Sequence, residues 1–310
     1  MSVVWSDFFS IDSGTYLRIV SEEFLAKFIK ELEVDSFASH IKGIDLSPLF
    51  LKKPPVEKLV SEDEADFEEE EVPVVFTDQE LLLIIEKCHS LEYLCIGYGP
   101  ELIDSGALLN MSTPETNYSP LRGPAFLSDS VLERISGLSS LKVLNLYGCD
   151  NLSHDTVAAI GRGCTELKEL CIDGEEEEEE EEGEVDERGV SRVAVKEETA
   201  EESEERDWTK EDWAPFQKLE TLCADSVDFS LICNLPNLTR VQVDPYSTSE
   251  ELKTFIKSHK SKLRYLNVFE ESTPSEDDES DSDQRLPLDI LQCPMLESFN
   301  MNLFDNKEIH

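Results

Sequence analysis

The chain has few basic residues and no long apolar run. It carries 27 Lys and Arg against 69 Asp and Glu, which gives a formal net charge of −42 at pH 7. This charge argues against direct binding to nucleic-acid phosphates or anionic membranes, because both would repel it. No apolar run approaches the roughly 20 residues that cross a bilayer, and the first residues lack a secretory signal pattern. We therefore expect a cytoplasmic or nuclear protein.

Closely spaced cysteine pairs and grouped catalytic residues are also missing. The eight cysteines are scattered among apolar positions and include no CxxC pair, which disfavours a zinc site. In a reducing compartment, cysteines in such positions are typically small buried apolar residues. The five histidines stand in no recognisable catalytic order with cysteines or carboxylates. The sequence therefore predicts no enzyme activity, no cofactor and no metal site.

The negative charge is concentrated in three segments. Residues 61–71 and 270–283 each carry eight acids and no base, and residues 175–212 carry twenty acids and five bases. These segments hold −31 of the −42, so that the other 247 residues carry only −11. Segments of such polarity cannot bury enough apolar surface to fold. We expect a folded body interrupted by disordered acidic insertions.

A repeat emerges when the chain is aligned with itself. Residues 88–96 match residues 164–172 at every apolar position in an L-x-x-L-x-L frame, whose last two apolar residues alternate as in a short strand. The frame recurs at 41–46, 141–146, 219–222, 238–243, 263–268 and 296–301. Helical patterns separate the copies, and they start with the capping residues Thr77, Ser128, Ser153 and Ser249. The predicted unit is strand, loop, helix and turn.

The period and the best copy identify the kind of repeat. Leu141 to Leu167 spans 26 residues, within the roughly 20–29 residues of leucine-rich repeats. This copy has a cysteine after its strand (Cys149), a Leu-Ser entry into its helix and a cysteine at the helix end (Cys164). It resembles the cysteine-containing repeats of F-box/LRR (RNI-like) substrate receptors of ubiquitin ligases, over roughly residues 41–303. The resemblance implies an α/β leucine-rich-repeat solenoid, a curved parallel sheet with outer helices.

The first 40 residues depart from that family. They contain no proline and hence no Leu-Pro-x-Glu start of an F-box. Instead, the segment 15–33 spaces its apolar residues on one predicted helical face: Leu17, Val20, Phe24, Leu25, Phe28, Ile29 and Leu32. We predict an N-terminal helical cap over 1–40, the solenoid over 41–303 and a C-terminal tail over 304–310. Binding of a ubiquitin-ligase adaptor stays open.

The long insertions all follow predicted strands. The segment containing 61–71, the loop 99–127 and the stretches 175–212 and 270–283 each begin at the carboxyl end of a strand. In a parallel solenoid these ends share one edge, and insertions on one side usually mark the binding side. We expect a strongly negative edge that attracts a basic protein segment. The alternative is that the acidic runs are solvated spacers.

The outward residues of the strands are the predicted partner contacts. These are Tyr93, Lys142, Asn145, Lys168, Arg240, Gln242, Arg264, Tyr265 and Asn267, of which the two tyrosines are the best single candidates. The same alternation directs Cys95, Cys171 and Cys223 outward. Trp208 and Trp213 lie at the end of the acidic stretch 175–212, and we expect them to anchor it on the solenoid.

Two functions are compatible with this sequence. The first is a non-catalytic protein-binding module that serves substrate recognition in a ubiquitin-ligase context, as the repeat resemblance implies. The second is an acidic histone-binding regulator of the chaperone type, since the composition resembles that of acidic leucine-rich nuclear phosphoproteins. Both have a protein as partner, and neither contacts nucleic acid or a membrane.

Overall fold

In the part of the chain that the structure describes, ten strands form one open sheet of the computed structural model, and they follow one another in chain order. The structure describes residues 8–11, 14–32, 35–50, 76–97, 127–149, 152–172, 208–225, 227–244, 249–269 and 293–302. The strands are β1 (Phe8–Ile11), β2 (Gly14–Arg18), β3 (Ile41–Asp45), β4 (Tyr93–Cys95), β5 (Val143–Leu146), β6 (Glu169–Ile172), β7 (Thr221–Asp225), β8 (Arg240–Asp244), β9 (Tyr265–Phe269) and β10 (Ser298–Asn302).

Helices lie between most of the strands. They are α1 (Glu22–Leu32), α2 (Asp35–Ala38), α3 (Asp78–Lys87), α4 (Asp129–Leu132), α5 (His154–Gly163), α6 (Lys210–Trp213), α7 (Phe229–Ile232) and α8 (Ser249–His259). Two 3-10 turns, Ser47–Phe50 and Glu133–Gly137, follow β3 and α4. In the described part of the chain, no helix has both the length and the apolar character needed to cross a membrane.

The strand order places all helices on one side of the sheet. β1 and β2 form an antiparallel hairpin, and from β2 to β10 every strand pairs in parallel with the next. Crossovers between parallel strands are right-handed, so an order that never reverses keeps every helix on the same face. Consecutive helices pack on each other, as α5 does on α6 and α7 on α8. Among the residues that the structure describes, no helix lies on the opposite face of the sheet.

One apolar core runs between the sheet and the helices. The sheet register brings the second leucine position of each repeat into a single row: Ile44, Leu94, Leu144, Leu170, Leu222, Val241 and Leu266. Each of these side chains is at most 1% exposed, and they belong to one continuous cluster from Leu17 to Cys293. The L-x-x-L-x-L frame is therefore confirmed as the strand repeat. A single strand could not bury this row, so each repeat depends on its neighbours.

The predicted capping residues Thr77, Ser128 and Ser153 are confirmed, whereas Ser249 is itself the first residue of α8. Two of the helix starts are linked between repeats. Both carboxylate oxygens of Asp78 accept hydrogen bonds from Ser128, at 3.0 Å from its backbone N–H and 2.7 Å from its hydroxyl. Asp129 accepts the same two bonds from Ser153, each at 2.9 Å. The first acid of one helix thus holds the capping serine of the next helix. This contact uses the backbone N–H groups that a helix start leaves unpaired.

The N-terminal segment differs from the prediction. The helix predicted over 15–33 begins only at Glu22, because the preceding residues form strand β2 beside β3. Leu17 and Ile19 alternate into the core as strand residues do, and both are at most 1% exposed. The spacing from Leu17 to Phe24 also fits one face of a helix, which explains the error. The segment 1–40 thus contains a first strand and helix of the array in place of a purely helical cap.

The second correction concerns the end of the longest acidic stretch. Residues 208–212, predicted to be disordered, are folded: Thr209 and Asp212 form a capping box at the start of α6. Trp213, at the end of α6, is fully buried. The acidic runs 61–71, 175–207 and 270–283 lie outside the described residues. A parallel, open sheet with one helical layer and a repeated leucine frame is an α/β leucine-rich-repeat solenoid.

Candidate protein-binding surface

The face of the sheet without helices is the candidate surface, and we call it the open face. Its first row lies at the amino ends of the strands and carries charges of both signs. Glu92 forms one ion pair with Lys42 at 3.2 Å and another with Lys142 at 2.6 Å. Lys168 pairs with Glu220 at 2.7 Å. The hydrogen bond from Lys142 lowers the pKa of Glu92, and the same bond raises the pKa of Lys142.

These ion pairs are half-exposed and contribute little to stability. Exposed pairs of this kind are worth about 0.2–1 kcal/mol each, since water competes for both partners. They determine which charges are exposed along the amino ends of the strands. Lys142 and Lys168, both predicted contacts, lie in this row with about half of each side chain exposed.

The second row of the open face carries a tyrosine towards each end of the sheet, Tyr93 in β4 and Tyr265 in β9. Tyr93 is half-buried, and burial raises its pKa well above the ordinary value, with smaller contributions from Cys95 and Asp45. Near the other end, the Arg240 guanidinium lies 5.7 Å from the centroid of the Tyr265 ring. Both tyrosines and Arg240 were predicted contacts. All three are partly accessible.

A glycine shapes this row beside Tyr93. Tyr16 of β2 lies over Gly43 of β3, and a Cβ atom at residue 43 would overlap the Tyr16 ring. Burial raises the pKa of Tyr16, and the neighbouring Glu92 raises it further. Tyr16 was not predicted as a contact, because residues 15–33 fitted a helix. The row Tyr16, Gly43, Tyr93 gives β2 to β4 a continuous aromatic and apolar surface.

The third row consists of residues that lie on the open face but whose side chains are buried. Their burial corrects the prediction that three of them contact a partner. Asn145, Gln242 and Asn267 are each at most 6% exposed, as are Cys95, Cys171 and Cys223. Register places these residues side by side across β4 to β9. Strand alternation fixes only the side of the sheet on which a residue lies, whereas its exposure also depends on its neighbours.

Residues of this row form hydrogen bonds both between neighbouring repeats and within one repeat. Asn267 donates to the side-chain oxygen of Gln242 at 3.1 Å, across β9 and β8. Asn145 accepts from the backbone N–H of Tyr147 at 2.9 Å. The accessible part of the predicted set is accordingly Tyr93, Lys142, Lys168, Arg240, Arg264 and Tyr265.

The insertions were predicted to begin at a common edge of the sheet. The strands that precede them confirm this prediction. The undescribed segments 51–75, 98–126, 173–207 and 270–292 follow β3, β4, β6 and β9, which are parallel members of one sheet. Their carboxyl ends lie at the same edge, which we call the carboxyl edge. Helices start there, and their first turns carry Asp78, Glu80, Asp129, Asp155, Glu211, Asp212, Glu250 and Glu251. Acids at helix starts complement the helix dipole.

Trp208 and Trp213 anchor the end of the acidic stretch 175–207, as predicted. The Trp208 ring packs edge-on against His154, with ring centroids 4.0 Å apart, and lies 5.4 Å from Trp213. Trp213 in turn packs against Phe216 in the core. The longest acidic insertion therefore returns to the carboxyl edge at a fixed aromatic contact.

The described side chains offer little chemistry for catalysis. Burial raises the pKa of the thiols of Cys88 and Cys164 to about 12, so neither is a thiolate at neutral pH. Within the described ranges, no three His, Cys, Asp or Glu residues cluster so as to hold a metal ion. The prediction that the chain is not an enzyme stays a prediction.

Two solved structures are similar to this chain at low sequence identity. No protein-family model matches it, and no curated protein matches its sequence. A chain of the yeast Rad7–Elc1 complex superposes with a TM-score of 0.40 and 14% identity, covering 81% of this chain and 50% of that one. Internalin C2 of Listeria monocytogenes gives a TM-score of 0.27 and 17% identity, over 62% of this chain and 84% of its own. This chain thus spans half the length of the Rad7–Elc1 chain, and the fold assignment rests on the strand order and register described above.

Proposed function

We propose that this chain is a non-catalytic module that binds another protein through its open face and carboxyl edge. The observation that carries the proposal is the one-sided architecture: helices cover one face of the sheet, and the other face presents half-exposed Tyr, Lys and Arg side chains. Of these, Tyr and Arg are enriched among the interface residues that matter for binding. A basic segment of the partner would be steered to the acidic carboxyl edge.

Within this proposal, the first candidate role is substrate recognition in a ubiquitin-ligase context. Its support is the repeat 141–164, whose two cysteines are buried at the positions that the F-box/LRR resemblance implies. In this role the chain would act in the cytoplasm or nucleus. An adaptor-binding module would be supplied by another segment or another chain.

The second candidate role is an acidic regulator that binds histones. Its support is the carboxyl edge, where acidic helix starts lie beside the strands from which the acidic runs 61–71, 175–207 and 270–283 emerge. A histone tail carries the opposite charge. Because such binding is mainly electrostatic, it would weaken as salt rises.

Affinity capture from cell extract with the full chain, followed by mass spectrometry, separates the two roles. Recovery of a cullin adaptor supports the ligase role, and recovery of histones that moderate salt releases supports the regulator role. A matched control is the chain in which Glu175–Glu182 are replaced by glutamine, which we expect to lose histones but not the adaptor. Recovery of neither class contradicts both roles.

A further inference from the structure

Two cysteines lie side by side in the third row of the open face. The sheet register pairs Cys171 of β6 with Cys223 of β7. Each follows an inward leucine of the core row, Leu170 or Leu222. Because successive residues of a strand point to opposite faces, both cysteine side chains leave the sheet on the open face. Neither cysteine is part of a disulfide.

The distance between the two strands suits a disulfide. Neighbouring strands lie about 4.8 Å apart, and the Cα atoms of two bonded cysteines are usually about 4.4–6.8 Å apart. Packed helices are about 8–10 Å apart, so a sheet with helices on one face bends towards its other face and brings the side chains there together. This convergence accounts for the burial of Cys171 and Cys223, which are 0% and 1% exposed although no described helix covers them.

A third cysteine of the same row provides an internal comparison. Cys95 lies in β4, and Asn145 of β5 separates it from Cys171. Two strand spacings amount to about 9.6 Å, which exceeds the Cα distance that a disulfide can bridge. Cys95, Cys171 and Cys223 are each at most 5% exposed. Proximity therefore distinguishes the pair from Cys95, whereas burial does not.

The pair connects two repeats that are distant in the sequence. Cys171 and Cys223 are 52 positions apart, and the acidic run 175–207 lies between them in the chain. The same two strands are joined on the open face by the ion pair of Lys168 and Glu220, whose side chains are about half exposed. A covalent bond would join them more firmly. It would close a long loop, and closing such a loop restricts the unfolded chain.

We propose that Cys171 and Cys223 form a modification site at which hydrogen peroxide produces a disulfide between β6 and β7. One thiol sulfur attacks a peroxide oxygen, the O–O bond breaks, and a sulfenic acid and a molecule of water are formed. The second thiol then attacks the sulfenic sulfur, the S–S bond forms, and a second molecule of water leaves. The two thiols thus supply the two electrons and two protons that reduce the peroxide. An external dithiol reverses the bond by thiol–disulfide exchange.

The face on which the pair lies allows such a reaction. Hydrogen peroxide is close to water in size, and local opening of the side chains around Cys171 and Cys223 admits it where no described helix lies above them. The inference goes beyond the proposed function, because it concerns a link between two repeats and not a partner. The disulfide would also fix the spacing of Lys168 and Glu220 in the first row of the same strands.

The test treats the full, folded chain with hydrogen peroxide at a concentration that modifies the partly buried Cys233. Remaining thiols are blocked with N-ethylmaleimide, and peptide mass spectrometry maps the disulfides. We expect a peptide pair joined through Cys171 and Cys223, with Cys95 still a thiol. Oxidation should raise the urea midpoint of unfolding, and dithiothreitol should restore the midpoint of the reduced chain.

Two alanine variants provide a matched comparison. Cys223→Ala should abolish both the link and the shift of the urea midpoint. Cys95→Ala removes a buried thiol from the same row, and it should leave the link and the shift intact. Circular dichroism of the reduced variants shows whether they fold. The disulfide map of the natural chain decides the proposal even if a variant does not fold.

Three outcomes overturn the proposal. The first is modification of Cys233 without any link between Cys171 and Cys223, which would show that the pair does not respond to peroxide. The second is linking of Cys95 as readily as of Cys223, which would mean that the native register does not select the pair. The third is a link that forms only in urea, which would make it a property of the unfolded chain.

Discussion

His154 packs against Trp208 at the position where the two preceding helices use an aspartate to hold the next capping serine. The first helical residues of α3, α4 and α5 are Asp78, Asp129 and His154. The first two bond to a serine of the following repeat, whereas the third meets an aromatic ring just before Thr209 caps α6. The link between repeats thus changes from hydrogen bonds to an aromatic contact at the repeat that carries the longest acidic insertion.

This contact predicts a measurable effect of Trp208. Replacing Trp208 by alanine should lower the free energy of unfolding by about 1 kcal/mol or more, because an edge-to-face aromatic pair contributes about 0.5–1.5 kcal/mol beyond its buried area. Trp208→Phe is the control and should retain most of the contact. Urea titration followed by circular dichroism measures both variants. An alanine variant as stable as the natural chain would show that the insertion is not anchored there.

The hydrogen bonds between Asp78 and Ser128 predict that the two residues contribute jointly to the free energy of unfolding. Asp78→Ala should lower the free energy of unfolding by about 1–3 kcal/mol, because it leaves the backbone N–H of Ser128 without its hydrogen-bond acceptor. Glu86→Ala, an exposed change on the same helix, should alter stability by less than about 0.5 kcal/mol. A double-mutant cycle with Ser128→Ala measures the coupling. Additive effects in that cycle would contradict a direct link between the repeats.

The buried His259 predicts a pH dependence of stability. Its ring stacks on Phe255, and its Nε2 lies 2.9 Å from the carbonyl oxygen of Leu235 in the preceding repeat. Burial lowers the pKa of His259 below its ordinary value of 6.5, an effect to which Lys262 adds and which backbone hydrogen bonds partly oppose. The folded chain therefore binds fewer protons than the unfolded chain just below that pH. The stabilisation is complete above about pH 6.5 and is lost as the pH falls towards the pKa of the folded state.

The variant His259→Gln isolates this contribution. Between about pH 7.5 and pH 5.5, the natural chain should lose more stability than the variant, as measured by urea unfolding at each pH. His40→Gln, which alters an exposed histidine, serves as the control and should follow the natural chain. Parallel curves for the natural chain and His259→Gln would be the contrary result.

The cysteines predict an order of chemical reactivity. Cys88 and Cys164 are buried thiols with a pKa of about 12, whereas Cys233 is only partly buried. Brief treatment of the native chain with N-ethylmaleimide should therefore modify Cys233 first among these three, since the thiolate must be both formed and accessible. Peptide mass spectrometry before and after urea unfolding maps the sites. Early modification of Cys88 would contradict its place in the core.

The sequence predicts the position of a residue correctly where burial or helix capping allows only one arrangement. Leu144 and Leu170 had to lie inward because both occupy the second leucine position of the repeat frame. Ser153 had to precede a helix because its hydroxyl can accept a hydrogen bond from the Thr156 backbone N–H. Residues 15–18 were misjudged because their apolar spacing fits a helix as well as a strand. The burial of Asn145 was also not predictable, since alternation gives the side of the sheet but not the crowding on it.

The contact between Arg240 and Tyr265 shows what only the three-dimensional structure supplies. Arg240 and Tyr265 are 25 residues apart, and the repeat frame aligned both with the starts of neighbouring strands. Their stacking, and the loose pairing of Arg264 with Glu297, depend on side-chain geometry that no pattern of residue types encodes. The acids at the carboxyl edge, in contrast, follow from helix starts that the sequence does predict.

The central claim is that the acidic insertions leave one edge of the sheet. β3 and β9, the first and last strands that precede an insertion, are six strand spacings apart, which is about 29 Å. An extended dodecalysine reaches about 40 Å. One peptide can therefore span all the insertions if they begin on a shared edge. Isothermal titration calorimetry of the full chain with dodecalysine at low salt measures how many peptides bind. We predict one peptide per chain, with weaker binding when the acids of either 61–71 or 175–182 are changed to their amides. Two or more independent sites, each lost only with its own acidic run, would contradict a common edge.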